Sequence, residues 1–293
     1  MRVECGTMSA MRLLVTGGSS FVGAHFCLRA VPHHEVLAVH HMSPLRLGGV
    51  TTVKADLRHH RDRAMLGTLG ADAVVHIACK IKGQDAAATN RAMMDTVLSL
   101  GIPVVYASST VVHWSQGSPY ADGRREDEAR LAASGLPHVI IRPSAPYGRR
   151  LSSHSPRHTE SFHTLAALVR SLRWVPVIGD GKYRRQPLHV EDFSDAILAL
   201  LAGSMDGAAY DAGGGEALTM NQVIDTIASA QGRCVRKIHL PKALFVQFAK
   251  RSPDFDPSLI AAADEDEVAD PTQLSEVTGV RFRPFSEGVR CLI

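Results

Sequence analysis

Short apolar runs alternate with helix-like segments through the first half of the chain. Each run has the length of a strand, and the segments between the runs carry apolar residues at helical spacing. Strands are predicted at residues 12–16, 35–39, 51–54, 73–77, 103–107 and 138–141, and helices at 21–30, 90–100 and 124–133. Near-continuous apolar strands separated by helices indicate an α/β fold whose parallel sheet is covered by helices on both faces.

The pattern becomes less regular after residue 148. Helices are predicted at residues 161–172, 190–201 and 217–230, without a regular alternation with strands. The acidic run at residues 264–270 is interpreted as a solvated loop that leads into a further helix. The second half therefore indicates a smaller domain, from which some segments return to the sheet.

Composition excludes several classes of protein. The 293 residues are 45% hydrophobic and 21% charged, which is ordinary for a globular enzyme. The net charge of +3 is small and the arginines are spread along the chain, so no nucleic-acid partner is expected. No apolar run reaches the roughly 20 residues that span a bilayer, and no signal peptide is recognised. Five scattered cysteines without a CxxC pair favour free thiols, and we expect a cytoplasmic protein.

A glycine-rich segment joins the first strand to the first helix. Gly17 permits a tight turn, the small residues after it let backbone N–H groups approach a pyrophosphate, and Gly23 lets the helix pack closely on the strand. The helix N-terminus would then face the anion. A glycine-rich turn without a ligand is the alternative interpretation. The predicted dinucleotide-binding loop consists of Gly17, Gly18, Ser19, Ser20, Phe21, Val22 and Gly23.

The loop resembles the TGGxGFIG segment of the extended short-chain dehydrogenases/reductases, the NAD-dependent epimerase/dehydratase family, with Ser20 in place of the middle glycine. Segments over nearly the whole chain resemble the same family. They are Asp56-Leu57 after the third strand, His76-Ile77-Ala78-Cys79 (family HLAA), Arg142-Pro143 with Tyr147-Gly148 (family RPxxxYG) and residues 178–192 (family GDGxxxRDxxHVxD). The resemblance implies a doubly wound Rossmann fold with a smaller C-terminal substrate-binding domain. It also implies cofactor contacts from Asp56, Leu57, Ile77, Ala78, Cys79 and Pro143.

The segment after the second strand bears on the choice of nicotinamide cofactor. NAD selectivity usually needs an acid there, which binds the ribose hydroxyls. This chain has His40-His41-Met42-Ser43 instead, with Arg46 shortly after. The pattern favours NADP over NAD, with His41, Ser43 and Arg46 near the cofactor; the alternative is that these residues only face solvent.

The resemblance also implies a catalytic set of Ser109, Tyr120 and Arg124. A tyrosine and a cation four residues later lie on one helical face, and the cation favours the phenolate. Tyr120 would exchange a proton with a substrate oxygen that Ser109 holds. Arg124 stands where the family has lysine, and the two residues are not interchangeable. Three interpretations follow: catalysis with arginine, which we favour, an altered proton route, or cofactor binding without turnover.

The substrate is less defined than the cofactor. Arg185 matches the arginine that grips a diphosphate in sugar-nucleotide members of the family. A sugar-nucleotide epimerase, dehydratase or reductase is the leading prediction, followed by an NADPH-dependent reductase of a small ketone or aldehyde, and then by a non-catalytic NAD(P)-binding regulatory protein. Trp114 fits a pocket wall and a core position equally well. The predicted substrate contacts are Lys80, Ser109, Trp114, Ala145 and Arg185.

The predicted organisation has three parts. Residues 1–10 form an extension, residues 11–170 the NAD(P)-binding domain, and residues 171–293 mainly the substrate-binding cap, with segments near 187–211 returning to the first domain. The resemblance further implies a homodimer through the helices at residues 85–100 and 120–134. No metal site is expected, because the paired histidines lack ligand spacing and neighbouring acids.

Overall fold

The central feature of the computed structural model is a parallel sheet of seven strands, which confirms the predicted Rossmann-type α/β fold. The structure describes residues 9–83, 85–115, 118–152, 154, 156, 160–249 and 264–293. The strands of this sheet are β1 (Arg12–Thr16), β2 (Glu35–His40), β3 (Val50–Lys54), β4 (Ala73–His76), β5 (Val104–Ala107), β6 (His138–Pro143) and β11 (Asp206–Ala212). They lie in the order β11-β6-β5-β4-β1-β2-β3, so the strand order reverses between β1 and β4.

Successive side chains of a strand point to opposite faces of the sheet, so these apolar strands present apolar side chains on both faces. Helices cover both faces and bury those side chains. In β1, Leu13 and Val15 join one apolar cluster, whereas Leu14 joins the cluster on the opposite face. The first cluster packs under α1 (Phe21–Ala30) and α6 (Val190–Ala202), and the second under α2 (His60–Gly67), α3 (Ala86–Ser99) and α4 (Pro119–Ala133).

A third apolar cluster is built from residues after 144. It contains Tyr147, Phe162, Val177 and Ile224, all buried. The elements outside the main sheet are β7 (Pro146–Tyr147), α5 (Ser161–Ser171), β8 (Trp174–Ile178), β9 (Arg184–Arg185), β10 (Leu188–His189), β12 (Leu218–Thr219), α7 (Met220–Ala230), β13 (Arg236–Leu240), α8 (Lys242–Ala249), α9 (Thr272–Thr278) and α10 (Phe285–Gly288). The domain boundaries at residues 11–170 and 171–293 stay a prediction.

Several helices begin elsewhere than the apolar pattern predicted. Helix α4 starts at Pro119 rather than at residue 124, because the Ser118 hydroxyl accepts from the Ala121 N–H and proline suits the first turn. Helix α7 starts at Met220, where Thr219 and Gln222 form a capping box. Residues 1–8 of the predicted extension lie outside the described residues. None of the helices in the described ranges is both long and apolar enough to cross a membrane.

Candidate active site

The glycine-rich loop between β1 and α1 is tightly closed. Gly17 has φ 69°, in the left-handed region that favours glycine. A Cβ on Gly17 would lie 2.7 Å from the Ala78 nitrogen, and one on Gly18 would lie 2.8 Å from the Ala38 Cβ. A Cβ on Gly23 would lie 2.1 Å from the Gly17 carbonyl oxygen. The loop geometry therefore requires glycine at all three positions, as a pyrophosphate cradle does.

Ser20 takes a defined part in this loop. Its hydroxyl oxygen accepts from the Gly23 N–H at 3.0 Å and caps helix α1. The N–H groups of Phe21 and Val22 have no preceding helical turn to bond. The serine that replaces the family's middle glycine thus stabilises the helix start, and the first-turn donors fit an anionic group. The carbonyl oxygen of Ser19 hydrogen-bonds the His154 ring at 2.7 Å.

The segment after β4 lies against the loop. The N–H groups of Ile77 and Ala78 donate to the Thr16 carbonyl (3.2 Å) and the Thr16 hydroxyl (3.3 Å). That hydroxyl also hydrogen-bonds His76 Nδ1 at 2.6 Å. Burial lowers the pKa of His76 to about 3, with a smaller contribution from Arg124, so its ring is neutral near pH 7. Two segments that were predicted to meet the cofactor are therefore fixed together by Thr16.

The predicted nucleoside end of the site is organised around Asp56. Arg58 binds its carboxylate through two nitrogens at 2.6 and 2.8 Å, and the His41 ring lies 3.4 Å away. The hydrogen bond from Arg58 is the main reason that the pKa of Asp56 lies well below its usual range. Ser43 is half-buried and Arg46 is exposed on the segment after β2. These residues stay predictions for cofactor binding.

The backbone carbonyl groups of Leu57 and Pro143 both accept hydrogen bonds from threonine side chains. Leu57 is 6% exposed within the second core cluster, and its carbonyl accepts from the Thr96 hydroxyl at 2.5 Å. The Pro143 carbonyl accepts from the Thr110 hydroxyl at 3.4 Å. Both residues stay predictions for cofactor binding.

The three predicted catalytic residues converge at the carboxyl ends of β4 and β5. Ser109 follows β5 and is 9% exposed, and Tyr120 stands half-buried in the first turn of α4. The Arg124 guanidinium carbon lies 5.3 Å from the centre of the Tyr120 ring. Burial raises the pKa of Tyr120 above its usual value, and the charge of Arg124, with smaller effects of Arg124 and Ser109 as neighbours, opposes that rise without cancelling it. The i, i+4 spacing thus sets the Arg124 guanidinium against the Tyr120 ring, and Ser109 lies near enough to influence the phenol.

Arg124 is held by two residues that the sequence analysis missed. Its Nη1 donates to the Tyr106 hydroxyl at 2.7 Å and approaches the Ala107 carbonyl at 3.4 Å. The Tyr106 hydroxyl donates in turn to the Asp127 carboxylate at 3.2 Å. Tyr106 and Asp127 are buried, and the Tyr106 ring stacks on His76 with centroids 5.6 Å apart. A tyrosine within the apolar run of β5 was the only sequence signal for this arrangement.

Cys79 also belongs to this cluster. The Tyr120 and Asn90 side chains lie near enough to its thiol to lower the pKa of that group slightly. Burial raises the pKa of the thiol, and the charge of Arg124 opposes that shift. Cys79 is therefore a neutral neighbour of the candidate acid/base, at a position predicted to meet the cofactor.

The predicted substrate contacts lie in different surroundings. Lys80 pairs with Asp85 at 2.6 Å, and Ala145 packs against the third apolar cluster. Trp114 is half-buried, and its indole nitrogen is buried without a hydrogen-bond partner among the described residues. Arg185 lies on β9, 3.8 Å from the Glu267 carboxylate.

The acidic run at residues 264–270 is not a solvated loop throughout, contrary to expectation. Glu267 forms a backbone bridge with Arg185, and its side chain is 14% exposed. The Thr110 hydroxyl donates to the Glu267 carboxylate at 3.3 Å. A contact between residues 157 positions apart has no local sequence signature. The Glu267 carboxylate is therefore hydrogen-bonded to the residue that directly follows the candidate catalytic serine.

A family model supports the resemblance that the motifs carry. The model of the NAD-dependent epimerase/dehydratase family matches residues 13–131 and 118–213, which is more than half of the chain. The chain belongs to the NAD-dependent epimerase/dehydratase family. A dTDP-glucose 4,6-dehydratase of Streptomyces niveus is 28% identical, over 76% of this chain and 78% of that protein. A UDP-glucose 4-epimerase of Azospirillum brasilense is 27% identical, over 88% of this chain and 86% of that protein.

Solved structures share the fold over nearly the whole chain. The UDP-glucose 4-epimerase of Thermotoga maritima with UDP-glucose has a TM-score of 0.75 at 18% identity, covering 96% of this chain and 97% of that one. The UDP-glucose 4-epimerase of Thermus thermophilus with NAD has a TM-score of 0.74 at 22% identity, with the same coverage. At these identities the likeness establishes the fold, and the membership of the family establishes an enzyme class.

Proposed function

We propose that this chain is an NAD(P)-dependent enzyme that oxidises or reduces a hydroxyl- or carbonyl-bearing carbon, with Tyr120 as the acid/base. The observation that carries the proposal is that the Arg124 guanidinium lies 5.3 Å from the centre of the Tyr120 ring, with Ser109 near enough to lower the pKa of Tyr120. Related proteins named as dehydratases and epimerases support the same chemistry.

The cofactor proposal rests on how well the loop fits a dinucleotide. The loop from Gly17 to Gly23 has no room for a Cβ at its three glycines, and it leads into the first turn of α1. These residues would hold the pyrophosphate, Asp56 and His41 would lie toward the nucleoside end, and the segment 77–79 toward the nicotinamide. When bound, the nicotinamide supplies a carbon that accepts or donates a hydride. NADP remains the proposed preference, because the segment after β2 carries no acid.

Ser109, Tyr120 and Arg124 have different roles in the proposed reaction. Ser109 donates or accepts a hydrogen bond at the substrate oxygen and orients it. Tyr120 removes the proton from a hydroxyl, or returns it to a carbonyl oxygen, as the hydride moves. Arg124 favours the phenolate because its positive charge lies against the Tyr120 ring. Burial disfavours the phenolate and raises the pKa of Tyr120, so the charge of Arg124 is needed to offset that cost.

The proposal is tested with wild-type protein, Tyr120→Phe and a matched control, Tyr210→Phe. Tyr210 is a buried tyrosine of β11, a strand that does not pair with β5. Each protein is incubated with NAD, NADP or their reduced forms and with a panel of alcohols, ketones, sugars and sugar nucleotides, and products are read by mass spectrometry. We expect Tyr120→Phe to lower kcat by about a hundred- to ten-thousand-fold with an unchanged cofactor Kd, and the control to keep its rate. Equal turnover by Tyr120→Phe would refute the acid/base role.

The same experiment separates the proposed enzyme from a non-catalytic cofactor-binding protein. The replacement of lysine by arginine at position 124 favours that second function, which predicts tight cofactor binding without turnover of any panel member. The nucleotide released on denaturation distinguishes the reaction types: retained NAD indicates an internal redox cycle, and exchangeable NADPH indicates a reductase. Homodimerisation through α3 and α4 stays a prediction that light scattering tests.

A further inference from the structure

One side of the candidate active site carries an unexpected density of carboxylates. Strand β9 contributes Arg184 and Arg185, and the segment 264–267 beside it contributes four consecutive acids. Arg184 pairs with Asp266 at 2.9 Å, Lys242 with Asp264 at 2.5 Å and Arg185 with Glu267 at 3.8 Å. The fourth acid, Glu265, has a buried carboxylate oxygen without a hydrogen-bond partner among the described residues. Among the described residues of this group, four acids stand against three cations.

Arg185 is the most enclosed of these cations, and it is committed to the protein. Its side chain is 11% exposed. Its Nη1 donates to the backbone carbonyls of Arg184 and Glu265, and its guanidinium carbon lies 4.7 Å over the Tyr183 ring. The edge of the guanidinium thus contacts two backbone carbonyls and the Glu267 carboxylate, and its face contacts the Tyr183 ring. Arg185 is thus part of a wall formed by β9 and the segment 264–267, where it pairs with Glu267.

Glu267 connects this wall to the candidate catalytic residues. Its carboxylate accepts from the Thr110 hydroxyl at 3.3 Å, and Thr110 directly follows Ser109. A substrate phosphate that reached Arg185 would lie beside Glu267. Binding would then require either two like charges close together or removal of Arg185 from Glu267, which leaves a buried carboxylate without its partner. Both arrangements oppose a diphosphate.

We propose that Glu267 is a specificity-determining residue, which neutralises Arg185 and restricts the enzyme to alcohols or carbonyl compounds that carry no phosphate. This inference rests on the proposed function and names its class of substrate. It separates this chain from its relatives named for UDP-glucose and dTDP-glucose, both nucleoside-diphosphate sugars. The neutral ion pair remains able to hydrogen-bond hydroxyl groups of an uncharged substrate.

The first test uses the wild-type protein. The cofactor site is first saturated with whichever of NAD and NADP binds more tightly, which keeps nucleotides out of it. Calorimetry then compares dTDP with thymidine and UDP with uridine. We expect the diphosphates to bind no more tightly than their nucleosides, or not at all up to millimolar concentration. An affinity for dTDP or UDP about tenfold or more above that of its nucleoside, which is about 1.4 kcal/mol, would overturn the proposal.

The second test changes the carboxylate itself. Glu267→Gln keeps the shape of the side chain and removes its charge, so we expect affinity for dTDP and UDP to rise about tenfold while thymidine and uridine are unaffected. The double variant Arg185→Gln with Glu267→Gln should lose that gain, because it depends on the arginine. Glu276→Gln, an exposed acid of α9, is the matched control and should change nothing. A folded Glu267→Gln protein without any gain would contradict the role of Glu267.

These outcomes are distinguishable from a failure of the proposed function. Titration of the same preparations with NAD and NADPH shows whether the cofactor binds, independently of any second ligand. A protein that binds no cofactor fails the proposed function. A protein that binds cofactor and turns over nucleoside-diphosphate sugars at the Tyr120-dependent rate keeps the proposed function and refutes the role of Glu267.

Discussion

The arginine at position 124 gives the sharpest test of how this site works. We consider two replacements, Arg124→Lys, which restores the residue typical of the family, and Arg124→Met, which removes the charge at similar volume. The guanidinium lies between two phenols, 5.6 Å from the Tyr106 ring centre and 5.3 Å from that of Tyr120, and it is 5% exposed. A lysine ammonium is a single point charge and cannot serve both phenols in the same way.

The magnitudes follow from the contacts that each replacement removes. Arg124→Lys keeps a charge near Tyr120 but loses the 2.7 Å hydrogen bond to Tyr106, a bond to a charged group worth about 1.5–3 kcal/mol. We expect that loss mainly in the free energy of unfolding, with kcat/KM reduced about tenfold at most. Arg124→Met removes the strongest influence that lowers the pKa of Tyr120, and it removes the strongest charge effect that lowers the pKa of Asp127. We expect kcat/KM to fall at least about a hundredfold, with a loss of stability of about 3–5 kcal/mol.

The assay is the pH dependence of kcat/KM, measured with the substrate that the Tyr120 experiment identifies, together with denaturant unfolding. Without the arginine charge the phenol holds its proton more tightly, so the limb that requires phenolate should move to higher pH in Arg124→Met and stay near its wild-type position in Arg124→Lys. Arg91→Met, which removes an exposed arginine paired with Glu126, is the control. An Arg124→Met enzyme with wild-type rate and an unmoved limb would refute this account of the site.

Two further predictions address the loop and the buried histidine. Gly23→Ala puts a Cβ within 2.1 Å of a backbone oxygen, so we expect NAD affinity to fall about tenfold or more by fluorescence titration, whereas Gly67→Ala, which meets nothing within 4 Å, should leave it unchanged. His76 stays neutral in the folded state with its pKa at about 3, while the unfolded chain binds a proton below about 6.5. Stability is therefore lost as pH falls, by about 2 kcal/mol from this group between pH 7 and pH 5. His76→Asn should reduce that dependence in urea unfolding at the two pH values; an identical dependence would contradict it.

Local patterns predicted the parts of this protein that local physics determines. The apolar runs of β1 and β4 are determined by their period, Gly17 by its positive φ, and Gly23 by its close approach to the Gly17 carbonyl, all within a few residues of sequence. The i, i+4 spacing of Tyr120 and Arg124 similarly fixes a shared helix face. Those predictions needed no knowledge of tertiary contacts.

The missed residues depend on contacts that no short window contains. Tyr106 lies 18 positions from Arg124, and it meets the guanidinium because α4 packs beside β5. Glu267 was interpreted as solvated because a run of acids usually faces water. Its position is set instead by pairing with β9, far away in the sequence. Sequence period describes which face of an element is buried, but it does not say which distant element covers that face.

The two arginines predicted to act at this site share a property that bears on specificity. Arg124 donates to Tyr106 and Ala107, and Arg185 donates to two backbone carbonyls and pairs with Glu267. Each guanidinium is nearly buried, so each would lose protein partners if it turned to an anion. An enzyme that recognises phosphate keeps arginine forks available for it. With both guanidinium groups engaged by the protein, the proposed role of Glu267 implies that hydrogen bonds and shape, rather than charge, would select the substrate.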